Sequence, residues 1–473
     1  GFLLSQHNYP AGAVGKPFEH HSPQFLGFNH TRVIGPAPRF AQSAGLFADG
    51  VTTGAPRAPQ WHNNLVDRHF SAPARRRLTR SSRPRSSPTE LDLKRRLAQL
   101  THTAPDDWFL TFKARYAMLV AFRNLAKLSG PGPVTTQAFT CATAIDPVIV
   151  AGLTPDYQEI SPASIALDAS TLSPAADTRA IVLQHTFGII DPRNSRALRD
   201  LATQYGALLL EDSAHCIGRM ARDDDGAPLA DISIHSFGVE KMTPTSFGGA
   251  AWLNPALDPE LRRAIVADFT SLPGPSVAQR FAVRIYRTLI RILNRLPRPI
   301  ASPLRHELIT AKLLEPAIAP VELAGGLPSP ALDMGKWVAR RASAALSGDL
   351  FTQRAAATAA YLQEFSSHPE IQVPGAITSD MPLLRFPIFL ASNETAERVI
   401  KKVKKAGFYA TDWYRPALYP GIDDDAAYHL DIAKLPITTG LIDRVANLPT
   451  NVDPETARII ANIVINAATS RDS

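Results

Sequence analysis

The stretch Gly206-Ala207-Leu208-Leu209-Leu210-Glu211-Asp212 constrains the fold more than any other part of this chain. An unbroken apolar run of this kind suits a strand covered on both faces, and such strands sit inside parallel sheets flanked by helices. The run ends on two carboxylates and is followed by Ser213, Ala214 and His215. It therefore carries Asp212 and His215 to a strand's C-terminal end, while Glu211 alternates to the other face. About thirty residues later a second apolar stretch, Ala-Asp-Ile-Ser-Ile-His-Ser-Phe-Gly, leads through Ser236 to Lys241, and Gly248 and Gly249 follow. A carboxylate, a hydroxyl and an amine on neighbouring strands form a candidate site for chemistry that needs a nucleophilic lysine.

The remaining pattern agrees with a helix-covered sheet. A helix-start signal at Ser87 or Thr89 opens SPTELDLKRRLAQL, and DDWFLTF follows as a short strand. A helix is expected from about Ala114, with Met118, Leu119, Phe122 and Leu125 on one face, ending at the breaker Ser-Gly-Pro-Gly-Pro. Strands are expected at VTTQAFT, DYQEI, AIVLQHTFG, ALLLEDSAH and ADISIHSFG, with an apolar segment around 145–150 and a helix over about 195–205. Strands alternating with helices imply an α/β domain with a mainly parallel sheet. Residues 260–345 read as proline-broken, arginine-rich helices, an insertion at the end of a large domain over 89–345. From 346 onward, RAAATAAYLQEF, LLRFPIFL, AERVIKKVKKAG and ETARIIANIVINAA read as a smaller α/β domain.

Charge adds little about function. The formal charge is +7, yet the run APARRRLTRSSRPRSSP holds six arginines (Arg75, Arg76, Arg77, Arg80, Arg83 and Arg85) and no acid. Without those six the charge falls to +1. The body is thus close to neutral, which argues against a nucleic-acid-binding protein. Residues 1–88 show no sustained period and are expected to be a basic, low-complexity tail, read as disordered. Two cysteines are too few for a disulfide framework, no run is apolar for the roughly 18 residues a membrane span needs, and no signal-peptide pattern opens the chain. A cytoplasmic location is expected, and no metal site is read.

The segments QAFTCATAIDPVIVAGLTPDYQEI, VLQHTFG, LLLEDSAHCIG, DISIHSFGVEK and SFGGAAWLN occur in an order and spacing that resemble the DegT/DnrJ/StrS sugar aminotransferases. The resemblance covers about residues 90–470 and does not extend to the first 88. It implies the aspartate-aminotransferase-like fold (type I), with a mainly parallel central sheet in a large domain and a small C-terminal α/β domain. It also implies pyridoxal 5'-phosphate as cofactor and a homodimer.

By the same resemblance, Lys241 and Asp212 are the catalytic pair. Lys241 forms the imine with the cofactor's aldehyde and then moves a proton, which requires a pKa below that of free lysine. Asp212 keeps the pyridine nitrogen protonated. His215 lies near the phenolic oxygen, and Ser236, five residues before the lysine, contacts the phosphate. The helix start at Ala114 and Arg115 supplies backbone amides to that phosphate. Here the chain departs from the family, which resembles Gly-Ser-Gly-Thr where this sequence has Lys113-Ala114-Arg115-Tyr116. Arg115 offers a charge in place of the lost hydroxyls. Cys141 stands where the family often places an aromatic side chain over the ring, with Phe139 nearby, and the role of His185 is open.

The implied reaction moves an amino group from an amino-acid donor, glutamate by resemblance, to a nucleotide-linked keto-sugar, in polysaccharide or amino-sugar synthesis. A carbocyclic ketone substrate and a non-catalytic binding or regulatory role stay open. One feature lies outside this reading. Arg280, Arg284, Arg287, Arg291, Arg295 and Arg298 recur every three or four residues beside an apolar stripe of Phe281, Ile285, Leu289, Ile292 and Leu296. A basic amphipathic helix over 280–298 suits weak contact with a membrane surface or a diphosphate-bearing substrate, or else a solvated face of a packed helix.

Overall fold

The computed structural model describes residues 87–328 and 330–469, with the side chain of Arg298 left out. The expected basic tail lies outside the described residues except at its end, where Ser87 caps the first helix. Ser87 Oγ accepts from the Glu90 amide, the Glu90 carboxylate accepts from the Ser87 amide, and Pro88 begins α1 (Pro88–Thr101).

The centre of the molecule is a seven-stranded sheet. Its strands are β1 (Trp108–Thr111), β2 (Pro133–Gln137), β4 (Thr154–Gln158), β5 (Ala180–Gln184), β6 (Leu208–Asp212), β7 (Ile232–Ser236) and β8 (Gly249–Leu253). The spatial order is β1-β8-β7-β6-β5-β2-β4. Pairing is parallel from β7 through β6, β5 and β2 to β4, whereas β8 runs antiparallel to both β7 and β1. The Leu208–Asp212 strand is buried at every residue and lies in the middle of this order, as its apolar run requires.

Helices α2 (Ala114–Ser129), α3 (Ala142–Val150), α4 (Pro192–Tyr205) and α5 (Pro259–Ser271) cover the sheet. Met118, Leu119, Phe122 and Leu125 are all buried on α2. The apolar segment around 145–150 is helical, and α3 carries Pro147 inside it. Gly249 is required where β8 meets α2: a Cβ there would collide with the Ala114 backbone. That close approach sets the N-terminus of α2 at the end of β8.

The arginine-rich region folds as α6 (Val277–Leu293), α7 (Arg298–Thr310) and α8 (Lys336–Leu346). Beyond it, α9 (Thr352–Phe365), α10 (Asn393–Lys405), α11 (Pro436–Arg444) and α12 (Pro454–Thr469) surround a two-stranded antiparallel sheet of β9 (Arg385–Phe389) and β11 (Val445–Pro449). A second small sheet joins distant parts of the chain. There β3 (Thr140–Cys141) pairs in parallel with β10 (Leu418–Tyr419).

Candidate active site

Asp212 closes β6 and Ser236 closes β7, so the parallel sheet places both at the same edge. One Asp212 oxygen accepts from the Ala214 amide at 2.9 Å, and the other has no hydrogen-bond partner among the described residues. Burial raises its pKa, while the Ala214 amide and Lys241 pull it down. A buried carboxylate with one open oxygen favours a cationic N–H partner.

Lys241 lies on the turn between β7 and β8 and is half-buried. Its Nζ makes no hydrogen bond or ion pair among the described residues and stands 5.9 Å from the centre of the Trp413 ring. Burial holds the amine below the ordinary lysine range, with Asp212 and Glu240 opposing the shift. Glu240, the preceding residue, has a left-handed backbone (φ 61°), as have Phe139 (φ 66°) and Phe187 (φ 58°). Non-glycine residues rarely adopt this conformation, and three of them border one site, where packing must hold them.

His215 is fully committed. Its Nδ1 accepts from the Phe187 amide at 3.0 Å, and burial drives its pKa well below the usual histidine value. The neutral ring therefore carries its proton on Nε2 and donates to the Tyr414 hydroxyl at 2.8 Å. Tyr414 keeps its own proton to donate onward. The outward-facing group here is thus a phenol, with His215 behind it as a positioning residue. Phe139 is fully buried against Phe187 and Tyr414 at ring distances of 6.1 and 5.9 Å, so it belongs to the core.

Cys141 caps α3 without a side-chain bond to its backbone amides, and its Sγ lies 3.1 Å from Thr143 Oγ1 in that helix. Across the small sheet it faces Tyr419. Trp413, Tyr414 and Tyr419 form one aromatic cluster with ring distances of 5.3–6.0 Å. These residues come from the stretch Asp-Trp-Tyr-Arg-Pro-Ala-Leu-Tyr-Pro, whose density of aromatics was the available sequence signal.

His185 and Glu211 lie away from Lys241 in a buried network. His185 Nε2 bonds to Glu211 at 2.8 Å, and Glu211 also accepts from the Ala221 amide at 2.6 Å and from Ser233 Oγ. His235 joins through Ser233 at 3.1 Å. These groups satisfy one another and support the strands structurally.

The N-terminus of α2 differs from a plain anion cradle. Lys113 Nζ pairs with Glu315 at 3.2 Å, and Arg115 pairs with Glu322. Glu322 is fully buried, and its second oxygen accepts from the Ala319 amide at 2.5 Å. The segment 315–322 thus lays two carboxylates on the two cations at this helix start. Ser236 Oγ accepts from the Gly238 amide at 3.2 Å and retains its own proton for donation. No cluster of three or more metal-ligating side chains occurs among the described residues.

This layout has known counterparts. Residues 88–268 match the DegT/DnrJ/EryC1/StrS aminotransferase family. They form a domain of that family. A stretch of 127 residues is 31% identical to a dTDP-4-amino-4,6-dideoxy-D-glucose transaminase of Shigella dysenteriae, covering 26% of this chain and 34% of that protein. The match thus spans about a third of that curated relative. Among solved structures, DesI in the presence of its TDP-sugar product has a TM-score of 0.55 at 22% identity, over 81% of this chain and 86% of that one. The PLP-form of the putative sugar aminotransferase Spr1654 from Streptococcus pneumoniae has a TM-score of 0.56 at 16% identity, over 82% and 93%. At these identities the two structures establish a shared fold, the α/β aminotransferase fold.

Proposed function

We propose that the chain is a pyridoxal-phosphate-dependent aminotransferase, passing an amino group from an amino acid to a keto-sugar carried on a nucleotide. The observation that carries this reading is the pairing of Lys241, an amine with no polar partner among the described residues, with Asp212, a buried carboxylate with one oxygen open among them. The names of the similar proteins, a sugar transaminase and a structure holding a TDP-sugar, support the substrate class.

When bound, pyridoxal phosphate supplies an aldehyde carbon and an electron-accepting ring. Asp212 would hold the proton on the ring nitrogen through its open oxygen. Lys241, its pKa lowered by burial, would accept a proton from the substrate carbon and return it. Trp413 flanks that amine and excludes water from one side. Tyr414, oriented by His215, keeps a phenol proton that it would offer to a nearby oxygen of the bound group. Ser236 and the Ala114 and Arg115 amides would receive the phosphate, with Arg115 adding charge once Glu322 gives way.

The Arg115–Glu322 pair favours a second reading, a family member that keeps the fold without turnover. One experiment separates the two. The full chain is mixed with pyridoxal phosphate and its visible spectrum recorded, and glutamate is then added. A new band that glutamate bleaches supports the aminotransferase. Lys241→Ala should abolish the band, and a variant with an unchanged spectrum and unchanged turnover would sink the role of Lys241. No band with wild-type protein would favour the second reading. We also propose a homodimer in the cytoplasm as the working form, which sedimentation of the full chain tests.

A further inference from the structure

A concave site separate from the Lys241 pocket lies between α6 and α8. Its volume is about 230 Å³, and it is lined by Arg284, Arg287, Thr288 and Arg291 of α6, Trp337 and Arg341 of α8, and the loop Thr245–Phe247. No acidic residue lines it. The amphipathic pattern of α6 explains the arrangement. Ala282, Val283, Tyr286, Ile290 and Leu293 are buried, and this turns the flank carrying Arg284, Arg287 and Arg291 toward α8.

Four guanidinium groups converge here, and none forms an ion pair with a carboxylate among the described residues. Arg287 Nη1 donates to the Pro244 carbonyl at 2.8 Å, and Arg341 lies 5.5 Å from the centre of the Trp337 ring. Burial depresses the Arg287 pKa, and repulsion from Arg341 and Arg291 adds to it. Like charges held together repel one another, and more strongly where the groove excludes water. A solvated arginine face would spread such charges apart. Here one arginine is tethered to a backbone carbonyl and another is set against an indole, which keeps them together.

We propose that this groove binds a diphosphate group. Planar guanidinium forks match phosphate oxygens in pairs, and four of them suit an anion of more than one charge. The volume is below the roughly 300 Å³ at which pockets for whole small molecules begin, so the groove takes a head group and leaves the rest of the ligand outside. Ser246 and Thr288 add hydroxyl donors at the rim. Two sources share this chemistry. One is a soluble nucleoside diphosphate. The other is a lipid-borne diphosphate, which the exposed Val277, Phe281 and Ile292 on the same helix would accommodate. The proposal does not rest on the aminotransferase reading, since nothing in the groove requires Lys241.

Calorimetric titration of the full chain with inorganic pyrophosphate tests it. Saturable, salt-sensitive binding is expected, weakened about tenfold by each of Arg287→Gln and Arg341→Gln. The exposed pair Arg284→Gln and Arg291→Gln is a second variant in which folding is unaffected, and it should weaken binding as well. Arg196→Gln, on α4 outside the groove lining and paired with Asp224, should change nothing. Uridine diphosphate and vesicles of equimolar phosphatidylcholine and polyprenyl diphosphate then separate the two sources. Binding of the nucleotide identifies a soluble ligand, and binding of the vesicles alone identifies a lipid. Absent pyrophosphate binding, or binding at full strength in all three groove variants, would overturn the proposal. The cofactor spectrum is read independently, so either idea can fail alone.

Discussion

Asp146 shows how hydrogen-bond accounting assigns a proton. It is fully buried on α3, and its Oδ1 lies 2.7 Å from the Tyr428 hydroxyl. That hydroxyl also lies 2.7 Å from the Glu322 carbonyl and accepts from the Gly325 amide at 3.0 Å. A phenol has one proton, so it cannot donate to both Asp146 and Glu322. If Asp146 is protonated and donates to Tyr428, the phenol is free to donate to Glu322 and each of the phenol's own contacts is satisfied. Burial agrees, since it pushes the Asp146 pKa up to about 8. A carboxyl raised in the folded state contributes stability that is complete below its unfolded pKa and lost as pH rises through the folded one. The window is therefore about pH 4 to 8. Asp146→Asn keeps an N–H donor and removes the titration. Urea midpoints should show the variant gaining on wild type as pH rises across that window. A constant difference would mean that Asp146 is ionised throughout. At this scale the sequence singled out Lys241, Asp212, His215 and Ser236, by strand pattern and by resemblance, and the structure places Asp212 and Ser236 at the ends of neighbouring parallel strands. The commitments of His215 were not legible in the sequence, because Phe187 and Tyr414 reach it from 28 and 199 residues away.

Among the elements, α2 and the segment 315–322 decide what the anion end of the site can accept. The helix start was readable in the sequence, including the stretch Lys113-Ala114-Arg115-Tyr116 that stands where the resembled family has Gly-Ser-Gly-Thr. What lay over it was not. Glu315 and Glu322 come from a proline-broken stretch with no periodicity, and only packing brings them to the two cations. A phosphate arriving at Arg115 must displace or neutralise the Glu322 carboxylate. Glu322→Gln keeps the shape and removes the charge. It should tighten pyridoxal phosphate binding about tenfold, measured by fluorescence titration of the full chain, since a charged pair of this kind carries roughly 1.5–3 kcal/mol. Weaker binding in the variant would show that Glu322 instead builds the cradle by holding Arg115 in place. The same contrast appears at α3, where an apolar run without clear period proved helical, and at β11, which pairs with β9 from a stretch whose strand character the sequence reading did not register.

Across the whole molecule, the site is closed by the C-terminal part of the chain. The pairing of β10 with β3 carries Trp413, Tyr414 and Tyr419 over the end of the parallel sheet. An aromatic cluster thus stands across the small sheet from Cys141, drawn from some 270 residues away. Tyr414→Phe tests this closure. It leaves the buried Nε2–H of His215 without its acceptor, which should cost about 1–3 kcal/mol in unfolding experiments, and it removes the outward phenol proton, which should lower turnover while the cofactor band persists. Full turnover with lowered stability would confine Tyr414 to a structural part. The sequence by itself determined the local chemistry. The apolar run into Asp212 required a strand covered on both faces, the capping residues set helix starts, and the spacing of Ser236 to Lys241 put hydroxyl and amine on one turn, because each of these depends on neighbours a few residues apart. Only the tertiary structure decided which carboxylates meet Lys113 and Arg115, which phenol stands before His215, and that the α6 arginines face Arg341 across a groove. Those outcomes depend on contacts between segments far apart in sequence, whose register is set by burial of shared apolar surface and leaves no period to read.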